Sequence, residues 1–309
     1  MGHLLICLFP GIMDLAYGAV LFMCPVRAYD LGASEAVIAW MLAASGVTYL
    51  LMAWMMVHVL TSRNAVKFII GATLATAGIA AALIFSTDVW HLYALMCLQS
   101  MMAAMFFPPF QVFLKNVASN KGSSPAQSAS IYTASWSFGF AIGPWLIGRL
   151  WEIESVGWTG CQFVNIAIGI ALAVGIIYLK HHGAEKTPPG PAEDDAPVNP
   201  AHPHAPLQPD YTGYPDIAWM GWIFVGTTCG LYAWVRSIFP SIGGDMAMSK
   251  ANQGLVMFLI AAVQGVVALL LYTSRTWMYR PWPIGLLGLS GIVGVGLFAV
   301  ARSTAMFCL

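Results

Sequence analysis

The sequence predicts an all-α polytopic membrane protein, and its composition and the length of its apolar runs lead to that class. Of 309 residues, 59% are hydrophobic and 8% are charged, with a mean hydropathy of +0.74. A soluble domain carries about 25% charged residues. The apolar residues form runs of about 20, the length that a helix needs to cross about 30 Å of hydrocarbon. These runs do not alternate in polarity as the strands of a transmembrane barrel do.

Nine such runs follow one another along the chain. Pro25 is expected to end the first helix, because proline disrupts helical hydrogen bonding. Short polar loops separate the runs, and the segment KNVASNKGSSPAQ is predicted as the loop after the fourth. The predicted spans are residues 4–24, 36–57, 65–85, 90–114, 128–147, 161–179, 217–239, 253–272 and 284–300.

The segment between the sixth and seventh spans is the polar exception. Residues 180–216 contain almost no large aliphatic side chain, and proline stands at 188, 189, 191, 197, 200, 203, 206, 209 and 215. Such a segment cannot bury enough apolar surface to offset its ordering entropy, so it is predicted to be an extended, solvated linker. The domains expected are therefore a six-helix bundle over 1–179, a linker over 180–216 and a partial bundle over 217–309.

The distribution of lysine and arginine predicts the orientation. A cytoplasmic N-terminus puts eight basic residues in inside loops and five in outside loops, which the positive-inside rule favours. We thus expect a cytoplasmic N-terminus and linker, in a bacterial inner or plasma membrane. Of the outside residues, Arg149 and Arg236 could instead lie within helix ends. The inside set is Arg63, Lys67, Lys115, Lys121, Lys180, Lys186, Arg275 and Arg280, and the outside set is Arg27, Arg149, Arg236, Lys250 and Arg302.

No pattern in the sequence points to a cofactor, a metal, an enzyme active site or nucleic acid. The six cysteines lie singly in apolar runs, so packing is favoured over a disulfide or a metal site. Histidines 181, 182, 202 and 204 stand in or beside the proline-rich segment, where simple solvation is favoured over metal binding. Paired carboxylates and nucleophile elbows are missing from the spans. The net charge of zero gives no reason to expect a nucleic-acid partner.

The blocks on either side of the linker show an internal repeat. LGASEAVIAWML, which starts at Leu31, aligns with MAMSKANQGLVM, which starts at Met246, and this places Ser34 opposite Ser249. One helix later, the tripeptide Thr-Ser-Arg occurs at 61–63 and again at 273–275. Two parallel repeats joined by a long loop are typical of transporters, with the substrate path between the halves. The alternative is chance similarity between apolar segments.

These segments resemble the major facilitator superfamily. The resemblance lies in Pro25 at the end of helix one, YDLGAS before helix two, the loop TSRNAVK, and SWSFGFAIGPWLIGRLWE in helix five. The last is similar to the family motif G-x-x-x-G-P-x-x-G-G, often found in exporters, with Ile147 in place of one glycine. The loop between helices two and three keeps Arg63 and Lys67 but lacks the acid and glycines of the family motif. The residues that match the helix-five motif are Gly139, Gly143, Pro144 and Gly148.

The resemblance implies a fold and a mode of action. The expected fold has a six-helix N-terminal bundle and a C-terminal bundle of about three helices. Family members have twelve helices and nine are predicted here, so we expect a sequence truncated after the ninth helix, the alternative being a degenerate remnant. The function implied is secondary transport of a small solute by alternating access, with proton-coupled efflux as one form. The alternative is a relative without transport activity, such as a membrane scaffold.

Asp14 is the ionisable residue predicted nearest the middle of a span. A carboxyl group at that depth is costly, which makes a functional role the first hypothesis. Gly11, Tyr17 and Gly18 share its helix face, and small and polar residues are expected to face the protein interior. There the carboxyl group could bind and release a proton as its access alternates. The alternative is a hydrogen-bonded packing residue.

Other polar and aromatic residues of the spans are candidates for the substrate path. Amide side chains in a membrane need partners, so they are expected to face the bundle interior, where they touch either substrate or other helices. Aromatic residues in such helices more often serve packing or the interfacial belt. Ser135, Gly139 and Gly143 form a small-residue ridge whose expected role is helix packing. The path candidates besides Asp14 are Tyr17, Gln99, Gln111, Tyr132, Trp136, Gln162, Asn165, Tyr232 and Gln264.

Overall fold

The structure is a computed structural model that describes residues 2–119, 125–181, 233, 235–273, 282–301 and 303–307. Every regular element in these ranges is a helix, which confirms the predicted all-α class. Most of the predicted linker and the first part of the seventh span lie outside the described residues. The helices are α1 Gly2–Asp30, α2 Glu35–Val59, α3 Ala65–Ile84, α4 Val89–Ser119, α5 Pro125–Trp151, α6 Gly157–Leu179, α7 235–245, α8 Lys250–Thr273, α9 Trp282–Val300 and α10 Thr304–Phe307.

The prediction that Pro25 ends the first helix is wrong. α1 continues through Pro10 and Pro25 to Asp30, and α7 likewise continues through Pro240 to residue 245. A proline removes one backbone donor, and in a tightly packed bundle neighbouring groups can compensate for that loss. Arg27 is consequently a helical residue of α1 rather than a loop residue, and Arg149 is a helical residue of α5.

The predicted loop between the fourth and fifth spans is shorter than the sequence suggested. α4 extends to Ser119, and α5 begins at Pro125, a residue whose fixed φ suits the first position of a helix. α4 also contains Pro108 and Pro109 within its helical range. Polarity therefore identified the loop but overestimated its length, because a helix can leave the hydrocarbon before it ends.

Five helices of the described residues are long and apolar enough to cross a membrane. They are Leu8–Asp30, Glu35–Val59, Ala65–Ile84, Val89–Leu114 and Gly157–Leu179. The other four predicted spans remain predictions. α5 contains many serine, glycine and aromatic residues, and it lies between α1 and α8, so protein rather than lipid covers much of its surface.

α1 and α5 form the centre of the packing. α1 contacts α2, α4, α5 and α6, while α3 packs on α4 and α6, and α2 packs on α4. α5 makes its most extensive contacts with α8 and α1. α5 therefore connects the first six helices to the helices that follow the predicted linker.

Glycines allow α5 to approach its two neighbours at backbone distance. A Cβ atom at Gly139 would overlap the backbone of Gly11 in α1, and one at Gly143 would overlap the Leu15 carbonyl. The Gly11 N–H also donates a 3.0 Å hydrogen bond to Ser135 Oγ. On the α8 side, a Cβ at Gly148 would overlap the Lys250 carbonyl, and one at Gly254 would overlap that of Pro144.

The α1–α2 turn and the α7–α8 turn share one hydrogen-bonding pattern at the positions that the sequence repeat aligns. In each, a residue of positive φ follows the helix, Gly32 at +83° and Ala247 at +50°. Alanine adopts this region at a cost of about 1–2 kcal/mol. In the first turn, the Gly32 N–H donates to the Tyr29 carbonyl and the Ala33 N–H to the Ala28 carbonyl, both at 2.9 Å. In the second turn, the Ala247 N–H donates to the Gly244 carbonyl at 2.9 Å and the Met248 N–H to the Gly243 carbonyl at 2.8 Å.

The two serines aligned by the repeat have the same structural role. Ser34 Oγ accepts a hydrogen bond from the Val37 N–H at 3.4 Å, and Ser249 Oγ accepts one from the Asn252 N–H at 3.3 Å. Each serine thereby satisfies an N–H group at the start of the following helix, as N-cap residues do. The two turns that the sequence repeat aligns are thus similar in structure as well as in sequence.

Candidate functional site

Asp14 lies in the interior of the bundle, with 4% of its surface exposed. Its helix face packs on α5, because Gly11 approaches Ser135 and Gly18 approaches Phe140. The face predicted from the sequence to look into the protein does so. A carboxyl group buried at this depth requires compensating charge or hydrogen bonds from its surroundings.

Hydroxyl groups from four helices surround the Asp14 region. The Tyr17 and Ser100 hydroxyls lie 3.3 Å apart and join α1 to α4. Tyr17, Tyr49 of α2 and Tyr132 of α5 are each near enough to Asp14 to interact with it electrostatically. We refer to Asp14, Tyr17, Tyr49, Ser100, Tyr132 and Arg236 together as the polar cluster.

Arg236 of α7 supplies the positive charge of the polar cluster. The residue is 7% exposed, and it interacts electrostatically with both Asp14 and Tyr17. Its Cζ atom lies 4.5 Å from the centroid of the Phe140 ring, a cation–π contact worth about 0.5–2 kcal/mol. Phe140 also contacts Gly18, one turn from Asp14. A guanidinium of the second repeat and a carboxyl group of the first therefore share one buried region.

Arg236 was counted with the outside residues, with a place within a helix end as the alternative, and the structure places it inside a helix. The predicted seventh span ended at 239, which placed this residue near a helix end, but α7 continues to 245. The nine residues that follow correspond to about 14 Å of helix. Arg236 is consequently a buried side chain of the bundle.

Two more path candidates lie beside the polar cluster. Gln111 Nε2 donates to the Tyr132 hydroxyl at 3.3 Å, which links α4 to α5. Gln111 is exposed and Tyr132 is buried, so the pair connects the bundle interior to its surface. Trp136 packs against the hydrophobic cluster that contains Phe106 and Phe110.

The remaining amides form a group apart from the polar cluster. Gln99, Gln162 and Asn165 are fully buried. Gln99 Nε2 donates to Thr76 Oγ1 at 3.3 Å, and Asn165 Nδ2 lies 3.5 Å from Gln162 Oε1. Gln99 thereby joins α4 to α3, whereas the Asn165–Gln162 contact lies within α6. Gln162 also joins α6 to α1, because its Nε2 lies 3.8 Å from Met23 Sδ.

Other residues singled out in the sequence lie at the surface or outside the described ranges. Gln264 of α8 is exposed, and Tyr232 lies outside the described residues. Arg63 and Lys67 are exposed at the turn between α2 and α3, where Asn64 Oδ1 accepts a 2.7 Å hydrogen bond from the Thr61 N–H.

At the end of the bundle that carries the repeated turns, polar contacts join the two repeats. The Tyr29 hydroxyl donates to Asp245 Oδ1 at 2.7 Å, and Lys250 Nζ lies 2.7 Å from Asp30 Oδ1. Nearby, Glu152 Oε1 accepts from the Ala251 N–H at 2.9 Å. We call Tyr29, Asp30, Glu152, Asp245 and Lys250 the latch. Asp30 and Asp245 occupy equivalent positions of the repeat, so each half offers a carboxylate to the other.

A close approach of backbone and ring accompanies the latch. A Cβ atom at Gly244 would overlap the Tyr29 ring, and the Lys250 ammonium lies 5.5 Å from the centre of the Trp151 ring. The latch end is therefore closed by packing as well as by charge.

Two related sets of apolar helices meet at a buried carboxyl group and a buried guanidinium, and polar contacts join them at one end. This arrangement is typical of a polytopic membrane protein of the transporter class. The chain belongs to the Major Facilitator Superfamily, whose sequence pattern it matches over residues 5–309. The family resemblance is thus confirmed. The superfamily consists of integral membrane transporters that bind small-molecule substrates, and it is not a family of enzymes. None of the curated proteins compared with this sequence matches it significantly.

Sequence reasoning missed Arg236, Tyr49, Ser100 and the latch. A signal for Arg236 existed, because an arginine inside a predicted span is as costly as Asp14 and requires a partner. Tyr49 and Ser100 had no such signal, since one hydroxyl on an apolar helix does not reveal its direction. The latch residues stood in predicted loops or at helix ends, and only the fold brings them together.

Proposed function

We propose that this protein is a secondary transporter that moves a small solute by alternating access and couples that movement to protons through Asp14. The observation that carries the proposal is the burial of Asp14 and Arg236 in one region, with one residue from each repeat. Charges buried in a membrane protein are costly, and they mark ion and substrate pathways more often than they stabilise the fold. Because the two charges lie on opposite sides of the repeat interface, the distance between them, and so their interaction energy, changes when one half moves against the other.

The latch supports the alternating-access part of the proposal. It joins the halves at one end through Tyr29–Asp245 and Asp30–Lys250, about 14 Å of helix beyond Arg236. These contacts are polar and partly exposed, so they can break without exposing a large apolar surface. In the orientation that the basic residues favour, the latched end faces outwards, and the solute exchanges with the cytoplasm while the latch is closed.

The proposed solute path begins at the polar cluster and continues along the Gln111–Tyr132 pair, with Trp136 beside it. Gln99 is proposed to hold α4 to α3, and Gln162, with Asn165 beside it, to hold α6 to α1 around that path. We place the protein in a bacterial inner or plasma membrane, with its N-terminus and linker in the cytoplasm. The direction of net transport follows the sum of the solute and proton gradients. Net efflux therefore occurs when an outward solute gradient outweighs the proton gradient that opposes it.

The test uses the full chain in vesicles that contain the pH-sensitive dye pyranine. Lactate, lysine, glucose and tetraphenylphosphonium are added in turn as anionic, hydrophilic cationic, neutral and lipophilic cationic probes. One class of probe is expected to move protons faster than in protein-free vesicles, and Asp14→Asn is expected to abolish this movement. Asp88→Asn, which changes an exposed carboxylate before α4, serves as the matched control and retains it. If none of the four probes makes the wild-type protein move protons, a relative without transport activity is favoured.

A further inference from the structure

We infer that the end of the bundle opposite the latch binds an anionic phospholipid, whose phosphate lies between the α2–α3 turn and the end of α6. Arg63 in that turn, Lys67 at the start of α3 and Lys180 at the end of α6 supply the positive charge. We call these three residues the basic patch. The lipid is a ligand separate from the transported solute.

Charged side chains are segregated between the two ends of the bundle. Every carboxylate of the described residues except Asp14 stands at the latch end, and the opposite end carries lysine and arginine without any described carboxylate. Acidic residues contribute little to membrane orientation, so the positive-inside rule does not account for their absence from the basic end. A carboxylate there would repel an anionic headgroup. The carboxylates of the latch end are Asp30, Glu35, Asp88, Glu152, Glu154 and Asp245.

The helices α3 and α6 pack closely and run in opposite directions. The Trp158 indole N–H at the start of α6 donates a 2.9 Å hydrogen bond to the Leu83 carbonyl at the end of α3. Further along α6, Gly169 approaches the backbone of α3 so closely that a Cβ atom would overlap the Thr73 carbonyl. The end of α6 therefore lies beside the start of α3.

This packing brings the basic patch together. Measured along the helices from the Gly169–Thr73 contact, Lys67 lies about 9 Å away and Lys180 about 16 Å away, in the same direction. Two flexible lysine side chains can span the difference of about 7 Å and reach one phosphate group. All three side chains of the basic patch are exposed, and none forms an ion pair with a described residue.

An exposed stripe runs from the basic patch along α3. It consists of residues 67, 71, 74, 78, 82 and 85, which follow the spacing of one helix face. Leu74 and Phe85 are 50% and 79% exposed, and a Cβ atom added at Gly71 or Gly78 would have no neighbour within 4 Å. From Lys67 to Phe85 the stripe measures about 27 Å, close to the thickness of the hydrocarbon core of a bilayer, about 30 Å.

The stripe favours a lipid over a soluble anion. Lys67 stands at the level where the hydrocarbon ends, so a headgroup bound there has its acyl chains along the apolar part of the stripe. The Arg63 guanidinium and the two ammonium groups can donate to the phosphate oxygens. Each basic residue near a membrane surface strengthens the binding of an anionic lipid about fivefold, so three give on the order of a hundredfold.

Binding is tested with the full chain in a mild nonionic detergent, which is titrated with dioleoyl phosphatidylglycerol while native mass spectrometry counts the bound lipids. Dioleoyl phosphatidylcholine is the comparison without net charge, and glycerol 3-phosphate is the comparison without acyl chains. We expect wild type to bind one phosphatidylglycerol about tenfold or more tightly than phosphatidylcholine. Added salt should weaken this preference, and glycerol 3-phosphate in about hundredfold excess should not compete.

Variants of the basic patch test the placement of the site. Lys180→Gln is expected to weaken phosphatidylglycerol binding about fivefold, and the triple variant Arg63→Gln/Lys67→Gln/Lys180→Gln to bind both lipids alike. Arg149→Gln, at an exposed arginine of the latch end, is the matched control and should bind phosphatidylglycerol as wild type does. Circular dichroism verifies that each variant keeps its helical structure.

Three results would overturn the inference. The first is equal affinity of wild type for the two lipids, or an equal loss in Lys180→Gln and Arg149→Gln. The second is competition by glycerol 3-phosphate, which would assign the basic patch to a soluble phosphate compound. The third concerns the acidic run at 193–195 of the predicted linker. If a peptide of residues 183–200 binds wild type but not the triple variant, while phosphatidylglycerol binds both alike, the basic patch serves that acidic run instead.

Discussion

Gly139→Ala is expected to destabilise the contact between α1 and α5. The added Cβ would overlap the Gly11 carbonyl and Cα, which are backbone atoms that no rotamer change can move aside. Relief requires the two helices to separate by on the order of 1 Å, and overpacking of this kind costs about 1–3 kcal/mol. The separation would also weaken the Gly11–Ser135 hydrogen bond, worth about 1 kcal/mol. The gain in helix propensity, at most about 1 kcal/mol, offsets part of this loss.

Gly78→Ala is the matched control for this prediction. Gly78 lies in α3 with nothing within 4 Å of an added Cβ, so the same substitution should be neutral or stabilising by up to about 1 kcal/mol. The assay follows helical circular dichroism while the purified protein is titrated with sodium dodecyl sulfate in mixed micelles. We expect Gly139→Ala to unfold at a clearly lower mole fraction of the denaturing detergent than Gly78→Ala. Coincident unfolding curves would refute the close α1–α5 contact.

Two further predictions concern the latch and the topology. Lys250→Gln removes a partly exposed ion pair worth about 0.2–1 kcal/mol, so the latch should open up to about fivefold more often. Maleimide should then label a cysteine placed at Ala33 faster than in the parent protein, and an equal rate would show that the ion pair does not hold the latch closed. Reporter fusions at Pro200 should report the cytoplasm and fusions at Asp88 the exterior; the reverse pair of signals would invert the proposed orientation.

The sequence predicted the class and the six helices before the linker because apolar length and charge depletion are local properties. The start of α3 and the end of α6 agree with the predicted spans 65–85 and 161–179. Helix ends at prolines were less predictable. Pro25 and Pro240 both lie inside helices, because packing can compensate for the one hydrogen bond that a proline removes.

Asp14 was predictable as a site residue, whereas its partner was not identified. A lone carboxyl group within an apolar run stands out in any sequence, but the residue that balances its charge lies more than 200 positions away. Only the fold brings Arg236 near Asp14 and Asp245 near Tyr29. The sequence repeat aligned Ser34 with Ser249, which indicated that the ends of α1 and α7 are equivalent. It did not predict the contacts between them.

The central claim is that Asp14 couples solute movement to protons, and the most direct test compares two modes of transport in one preparation. Vesicles containing wild type or Asp14→Asn are assayed with the labelled probe that moves protons in the pyranine assay. Proton-driven accumulation of this probe and exchange of internal against external probe are both measured, with protein-free vesicles as the baseline. The account predicts that wild type performs both and that Asp14→Asn retains exchange while losing accumulation. Equal loss of both modes in Asp14→Asn, or retention of both, would contradict it.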